Sequence, residues 1–185
     1  MKKTLTALLL LIFILPLHAA RLMNTRGMTS AEITAHILGY WKTADKQVGN
    51  TQAVVAVYRY DGKIYARIIA LYNPDTKEIE DDIYRQKNRD MNIEGNPPYC
   101  GMDILFGLQH DRDARFNNGR ILNPKNGKSY AATVNLLEND TLRATGRYLL
   151  FRRNMYMLKV DNTIFPENFT IPDETTFTPV IPANR

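Results

Sequence analysis

The sequence predicts a mainly β protein, an antiparallel up-and-down barrel of about eight strands entered through one short helix. Three observations carry that reading. Segments at 52–60, 63–71, 128–137 and 141–151 alternate in the period of two that sends successive side chains to opposite faces of a sheet. Turn dipeptides separate them: Asp61-Gly62, Asn126-Gly127 and Asn139-Asp140, residues that tolerate the positive φ of tight hairpin turns. Small residues recur among larger ones, as in Tyr58 and Tyr60 beside Val54 and Ala56, and in Ile64, Ala66, Ile68 and Ala70. That alternation suits the taper of a small barrel interior.

The elements follow in order. Residues 1–20 read as a cleaved secretory leader: Met1-Lys2-Lys3, an apolar run at 5–15, then Pro16 and Ala19-Ala20. The apolar run is too short for the roughly 20 residues of a spanning helix, so no stable membrane span is expected after cleavage. The expected location is the periplasm of a Gram-negative cell, or secretion beyond it. Residues 21–28 form a flexible lead-in. Thr29-Ser30-Ala31-Glu32 is a capping box that starts a short helix carrying Ile33 and Ile37, and Gly39 stops it. The barrel domain is assigned to 29–164. Residues 72–98 are a polar excursion with at most one poor strand. Strands resume at 102–108 and 116–122, and a last one covers 154–160. The tail, 165–185, carries Pro166, Pro172, Pro179 and Pro182, so it is extended and is no central strand.

Composition narrows the function. Leader removal takes two positive charges from a formal net charge of +5. The remaining basic residues are scattered, as in His110-Asp111-Arg112-Asp113-Ala114-Arg115, whereas nucleic-acid binding needs a concentrated basic face. Cys100 is the single cysteine, so no intramolecular disulfide can form, and its apolar neighbours favour burial. His36 and His110 lie far apart and fit no zinc-ligand spacing. No Gly-x-Ser-x-Gly occurs, and the Glu80-Asp81-Asp82 and Asp111/Asp113 carboxylates sit among cations as solvated clusters. No catalytic, cofactor-binding or metal-ligating residue is assigned, and no cofactor is expected.

The residues resemble the DUF2147 family of small secreted bacterial proteins. The similarity rests on Gly39-Tyr40-Trp41, on Asp61-Gly62-Lys63-Ile64-Tyr65-Ala66-Arg67-Ile68, and on Gly101-Met102-Asp103-Ile104-Leu105. It is strongest at 118–132, with Asn123-Pro124 where the family usually has Asp-Pro. Met157-Leu158-Lys159 stands where the family commonly has Trp-x-Arg, and Phe116 lies near the Gly119 turn in place of a Trp. The resemblance implies a lipocalin-like (calycin) barrel, in which Trp41 packs at the closed end beneath a basic residue of the last strand, with Arg152, Arg153 and Lys159 as candidates. Trp41, Gly119, Gly127, Tyr130 and Arg152 are the expected structural residues.

Two functions fit. In the first, a non-enzymatic protein holds a lipid or other small apolar or amphipathic ligand inside the barrel, lined by Tyr58, Ile64, Ala66, Ala132, Val134 and Tyr148. In the second, side chains fill the barrel, and residues 72–98 or the tail dock an envelope protein partner. An enzyme with acid–base groups at the barrel mouth is a distant third.

Overall fold

The computed structural model describes residues 21–44, 52–149 and 151–183; the predicted leader, 1–20, lies outside them. A capping box opens the first element. Thr29 Oγ1 accepts from the Glu32 amide at 3.2 Å, and Glu32 Oε2 accepts from the Thr29 amide at 2.7 Å, which satisfies two donors a helix start would otherwise leave open. Helix α1 (Ser30–Ile37) buries Ile33 and Ile37. Gly39, at φ +106°, swings the chain into the sheet, a conformation open to a residue without Cβ.

Among the described residues nine strands follow in chain order: β1 (Gly39–Thr43), β2 (Ala53–Tyr60), β3 (Lys63–Tyr72), β4 (Ile79–Asp82), β5 (Asp103–Arg112), β6 (Arg115–Asn123), β7 (Lys128–Leu137), β8 (Thr141–Tyr148) and β9 (Phe151–Lys159). Eight of them close an antiparallel up-and-down barrel, each pairing with the next and β9 returning to β1. The short β4 is the ninth; it flanks β3 within the excursion, outside the closed ring. The hairpin alternation therefore closes a barrel in which every central strand finds two partners. Register places Val55 opposite Ile68 and Val57 opposite Ala66. These point inward with Trp41, Phe116, Val134, Leu142 and Met157 to form the main core.

One strand expectation changes. The segment 141–151 alternates without a break, yet the chain reverses at Leu149, whose φ is +51°. β8 therefore ends at Tyr148 and β9 begins at Phe151. A leucine in the left-handed region carries no turn signal, so the run reads as one strand.

The second change concerns β2 and β3, which are buried along nearly their whole length. Their outward residues Val54, Ala56, Ile69 and Tyr72 form a second core with Phe165. Tyr40, Phe169, Ile171 and Phe177 pack against it. The proline-rich tail, which makes a 3-10 turn at Glu174–Thr176, lies as a strap over this side of the barrel. Phe165 stacks on Phe169 at 4.6 Å between ring centroids, and Tyr40 Oη donates to Glu174 Oε2 at 2.6 Å. The near-continuous apolar runs in β2 and β3 thus reflect burial on both faces.

Candidate functional site

The two ends of the barrel differ. The β2–β3, β5–β6 and β7–β8 turns share one end with α1. There Trp41 is fully buried, and its Nε1 donates to the Ile37 carbonyl at 2.9 Å. Lys159 Nζ sits 5.3 Å from the Trp41 ring centroid and donates to the His36 carbonyl at 2.7 Å. Both side chains thus satisfy carbonyls that the end of α1 leaves open, and the cation meets the negative end of the helix dipole. Burial holds the Lys159 ammonium below the usual lysine range, with Asp140 opposing. Of the three basic candidates, Lys159 fills the place over Trp41. Arg152 does not, because the turn at Leu149 sets it at the opposite end.

That opposite end is partly plugged. Ile93, carried by the excursion, is fully buried in the main core, and Asn92 Nδ2 donates to the Pro124 carbonyl at 2.9 Å. Gly127 lets the β6–β7 turn meet the plug: at φ +66°, a Cβ there would fall 2.3 Å from the Asn92 carbonyl oxygen. At Gly119 a Cβ would strike the Leu108 side chain at 2.5 Å. Close packing requires both glycines; Gly127 also sits in the turn that the sequence suggested, whereas Gly119 lies within β6.

Beside the plug the barrel stays open. A cavity of about 550 Å³ lies between the β6–β7 turn and the β8–β9 hairpin. Its walls are Ile104, Ile121, Leu122 and Met155, with the rings of Tyr130, Tyr148 and Phe151. Tyr130 and Tyr148 meet edge-to-face at 5.3 Å, and Tyr130 Oη accepts from Asn126 Nδ2 at 2.8 Å. Gly146 keeps the wall thin, since a Cβ would approach Ile121 Cγ2 to 2.9 Å. The polar lining is basic: Arg147, Arg152, Arg153 and Lys125, with Asn123 and Asn154 and no carboxylate. The ion pairs among the described residues are Arg67–Asp103, Arg85–Asp82 and Arg112–Asp111. None of them engages the three arginines of the cavity.

The six expected lining residues separate. Tyr148 lines this cavity. Ile64, Ala66 and Val134 point inward but are buried in the filled half of the barrel. Ala132 is likewise buried and borders a second, polar hollow of about 560 Å³ among β6, β7 and β8. Tyr58 lies on the outer face, opposite Tyr65 and beside Ala56, beneath the tail. Its hydroxyl donates to Asp103 at 2.9 Å and accepts from Arg67 Nη2 at 3.2 Å. The tail completes that cluster, because Asp103 Oδ2 accepts from the Val180 amide at 2.6 Å and Arg67 donates to the Thr178 carbonyl. Burial, then the Asp103 charge, pushes the Tyr58 phenol up. Tyr130, expected as a structural residue, also belongs to the cavity wall. Sequence reasoning missed Ile121, Phe151, Arg153 and Met155. Their signal is the cluster Phe151-Arg152-Arg153, which acquires meaning only once the strand break places it at the mouth.

Ser30 Oγ and His110 Nδ1 lie 2.8 Å apart, and His110 Nε2 lies 2.8 Å from the Asp113 carbonyl. That carbonyl can only accept, so Nε2 donates to it, and in the neutral ring Nδ1 accepts from the serine. The pair is exposed and borders neither cavity. No group of three His, Cys, Asp or Glu side chains converges as a metal site among the described residues.

A closed eight-stranded antiparallel barrel, sealed at one end by a helix and a tryptophan and open at the other on a cavity, has the architecture of the lipocalin class. The bacterial family described as "Uncharacterized protein conserved in bacteria (DUF2147)" matches residues 39–157, and the chain belongs to it. It is also similar to the solved structure of the protein HP1028 from the human pathogen Helicobacter pylori, described as belonging to the lipocalin family. That similarity is 18% in identity with a TM-score of 0.54, over 69% of this chain and 85% of that one. No curated protein matches the chain.

Proposed function

We propose that this chain is a secreted, non-enzymatic binding protein that holds a small anionic amphiphile at the open end of its barrel. One observation carries the reading: an apolar cavity whose polar residues include three arginines without an ion-pair partner among the described residues. Its volume falls within the roughly 300–1,000 Å³ typical of small-molecule sites. The apolar walls would take a hydrocarbon portion, and burial there contributes about 25 cal/mol per Å² of apolar surface. A guanidinium presents a planar fork of donors that suits a carboxylate or phosphate. The location rests on the leader-like residues 1–20; among the described residues no helix is long and apolar enough to cross a membrane.

The test is a titration of delipidated protein with a fluorescent fatty acid and with its uncharged methyl ester. The acid is expected to bind at least about tenfold more tightly, equivalent to about 1.4 kcal/mol. The double change Arg152→Gln and Arg153→Gln should remove the difference while leaving binding of the ester. Equal affinities in the unaltered protein would contradict the anionic-amphiphile reading, and binding of neither probe would contradict the cavity as a ligand site.

A further inference from the structure

The hairpin that forms one lip of the cavity has a composition the sheet does not need. Tyr148, Leu149 and Phe151 are 58%, 84% and 76% exposed. Leu149 takes a left-handed backbone at φ +51°, a conformation that glycine or asparagine adopts with less strain. A large apolar residue is thus held outward at a position where a small polar one would fit better. The other exposed apolar side chains include Met91, at 68%. It lies in the plug, next to the Asn92 that contacts Pro124 on the cavity rim. Apolar side chains therefore project on two sides of the same mouth.

The charge on the hairpin is of one sign. From 147 to 153 the chain carries Arg147, Arg152 and Arg153 and no Asp or Glu. Arg147 and Arg152 directly flank the tip, and Lys125 stands on the neighbouring turn at the cavity. An apolar point within a basic collar complements an anionic bilayer, where aromatic and leucine side chains enter the interfacial layer and arginines meet the headgroups. A protein partner with an apolar pocket would not account for the arginines on both strands beside the tip.

We propose that the β8–β9 hairpin tip docks this protein on an anionic lipid surface, with the cavity mouth turned toward the bilayer. Leu149 and Phe151 enter the interfacial layer, and the flanking arginines contact the headgroups. In that pose an amphiphile would pass between bilayer and cavity without crossing open water. The docking stands on the tip alone and does not depend on what the cavity holds.

The experiment uses the chain from residue 21 onward, because the apolar segment at 5–15 would bind lipid by itself; the whole closed sheet lies within that part. Co-sedimentation is measured with vesicles of phosphatidylglycerol and phosphatidylethanolamine and with vesicles of phosphatidylcholine alone. Binding to the anionic vesicles, weakening as salt is raised, is expected; no binding at low salt, or equal binding to both vesicles, overturns the proposal. Leu149→Asp should reduce the bound fraction about tenfold, while Leu158→Ser, on the barrel wall near the closed end, should leave it unchanged. Unaltered binding by Leu149→Asp places the contact elsewhere and overturns the proposal. Leu149→Trp supplies a positive reading beside the buried Trp41: its emission should shift to the blue on anionic vesicles and be quenched by brominated acyl chains. An unshifted emission shows that the tip stays in water. The fatty-acid titration on Leu149→Asp separates the two readings, since loss of docking should leave probe binding intact.

Discussion

Trp41 and Cys100 show how burial sets the behaviour of single side chains. Trp41 has no exposed surface, its indole N–H is satisfied by the Ile37 carbonyl, and Lys159 covers its ring. Trp41→Ala is expected to lower unfolding free energy by about 3–5 kcal/mol in a denaturant titration, because the void is too tightly framed to collapse. Cys100 is fully buried. Burial, reinforced by the nearby Asp81 and Asp82 carboxylates, pushes its thiol well above the usual range, so the reactive thiolate is scarce. Native protein should leave an aqueous thiol reagent unreacted and release one equivalent of product on adding denaturant; rapid reaction without denaturant would show an open site. These two residues were readable from the sequence, Trp41 through the Gly39-Tyr40-Trp41 resemblance and Cys100 through its neighbours. The cluster of Tyr58, Arg67 and Asp103 was not. Alternation assigned Tyr58 to a face but could not say which face was inside, and its partners Thr178 and Val180 come from a remote tail.

Among the elements, the strap and the β8–β9 hairpin depart most from a plain barrel. Phe165, Phe169, Ile171 and Phe177 cover outward apolar residues of β2 and β3, and Val180 exchanges hydrogen bonds with Asp103. Ending the chain after residue 164 should expose that face and leave Arg67 and Asp103 without their tail partners. A loss of at least about 3 kcal/mol is expected, given the roughly 1.5–3 kcal/mol for burying each large apolar side chain. The truncated protein should also bind an apolar dye. An unchanged denaturation midpoint would mean that the tail contributes no cover. The strand order was legible because Asp61-Gly62, Asn126-Gly127 and Asn139-Asp140 declare their turns. The hairpin at Leu149 was not, because its backbone reversal is carried by an apolar residue. That break decides the site: it makes Phe151 the start of β9 and puts Arg152 and Arg153, which the alternation left between two strands, at the cavity mouth.

At the scale of the whole molecule, the barrel is closed by hydrogen-bonded strands and filled over the half next to α1, without a disulfide. The excursion plugs part of the other end with Ile93 and leaves one side open between β6 and β9. A filled half and an open half explain why inward alternation alone located the core but not the cavity; only Tyr148 of the six expected lining residues reaches it. The central claim is that this open half holds an anionic amphiphile. Native mass spectrometry of protein isolated gently from the bacterial envelope tests it most directly. The account predicts a retained small mass that dissociates on activation and carries an acidic group on a hydrocarbon portion. A clean mass of the unliganded chain, from protein that still binds added fatty acid after the same isolation, would contradict it.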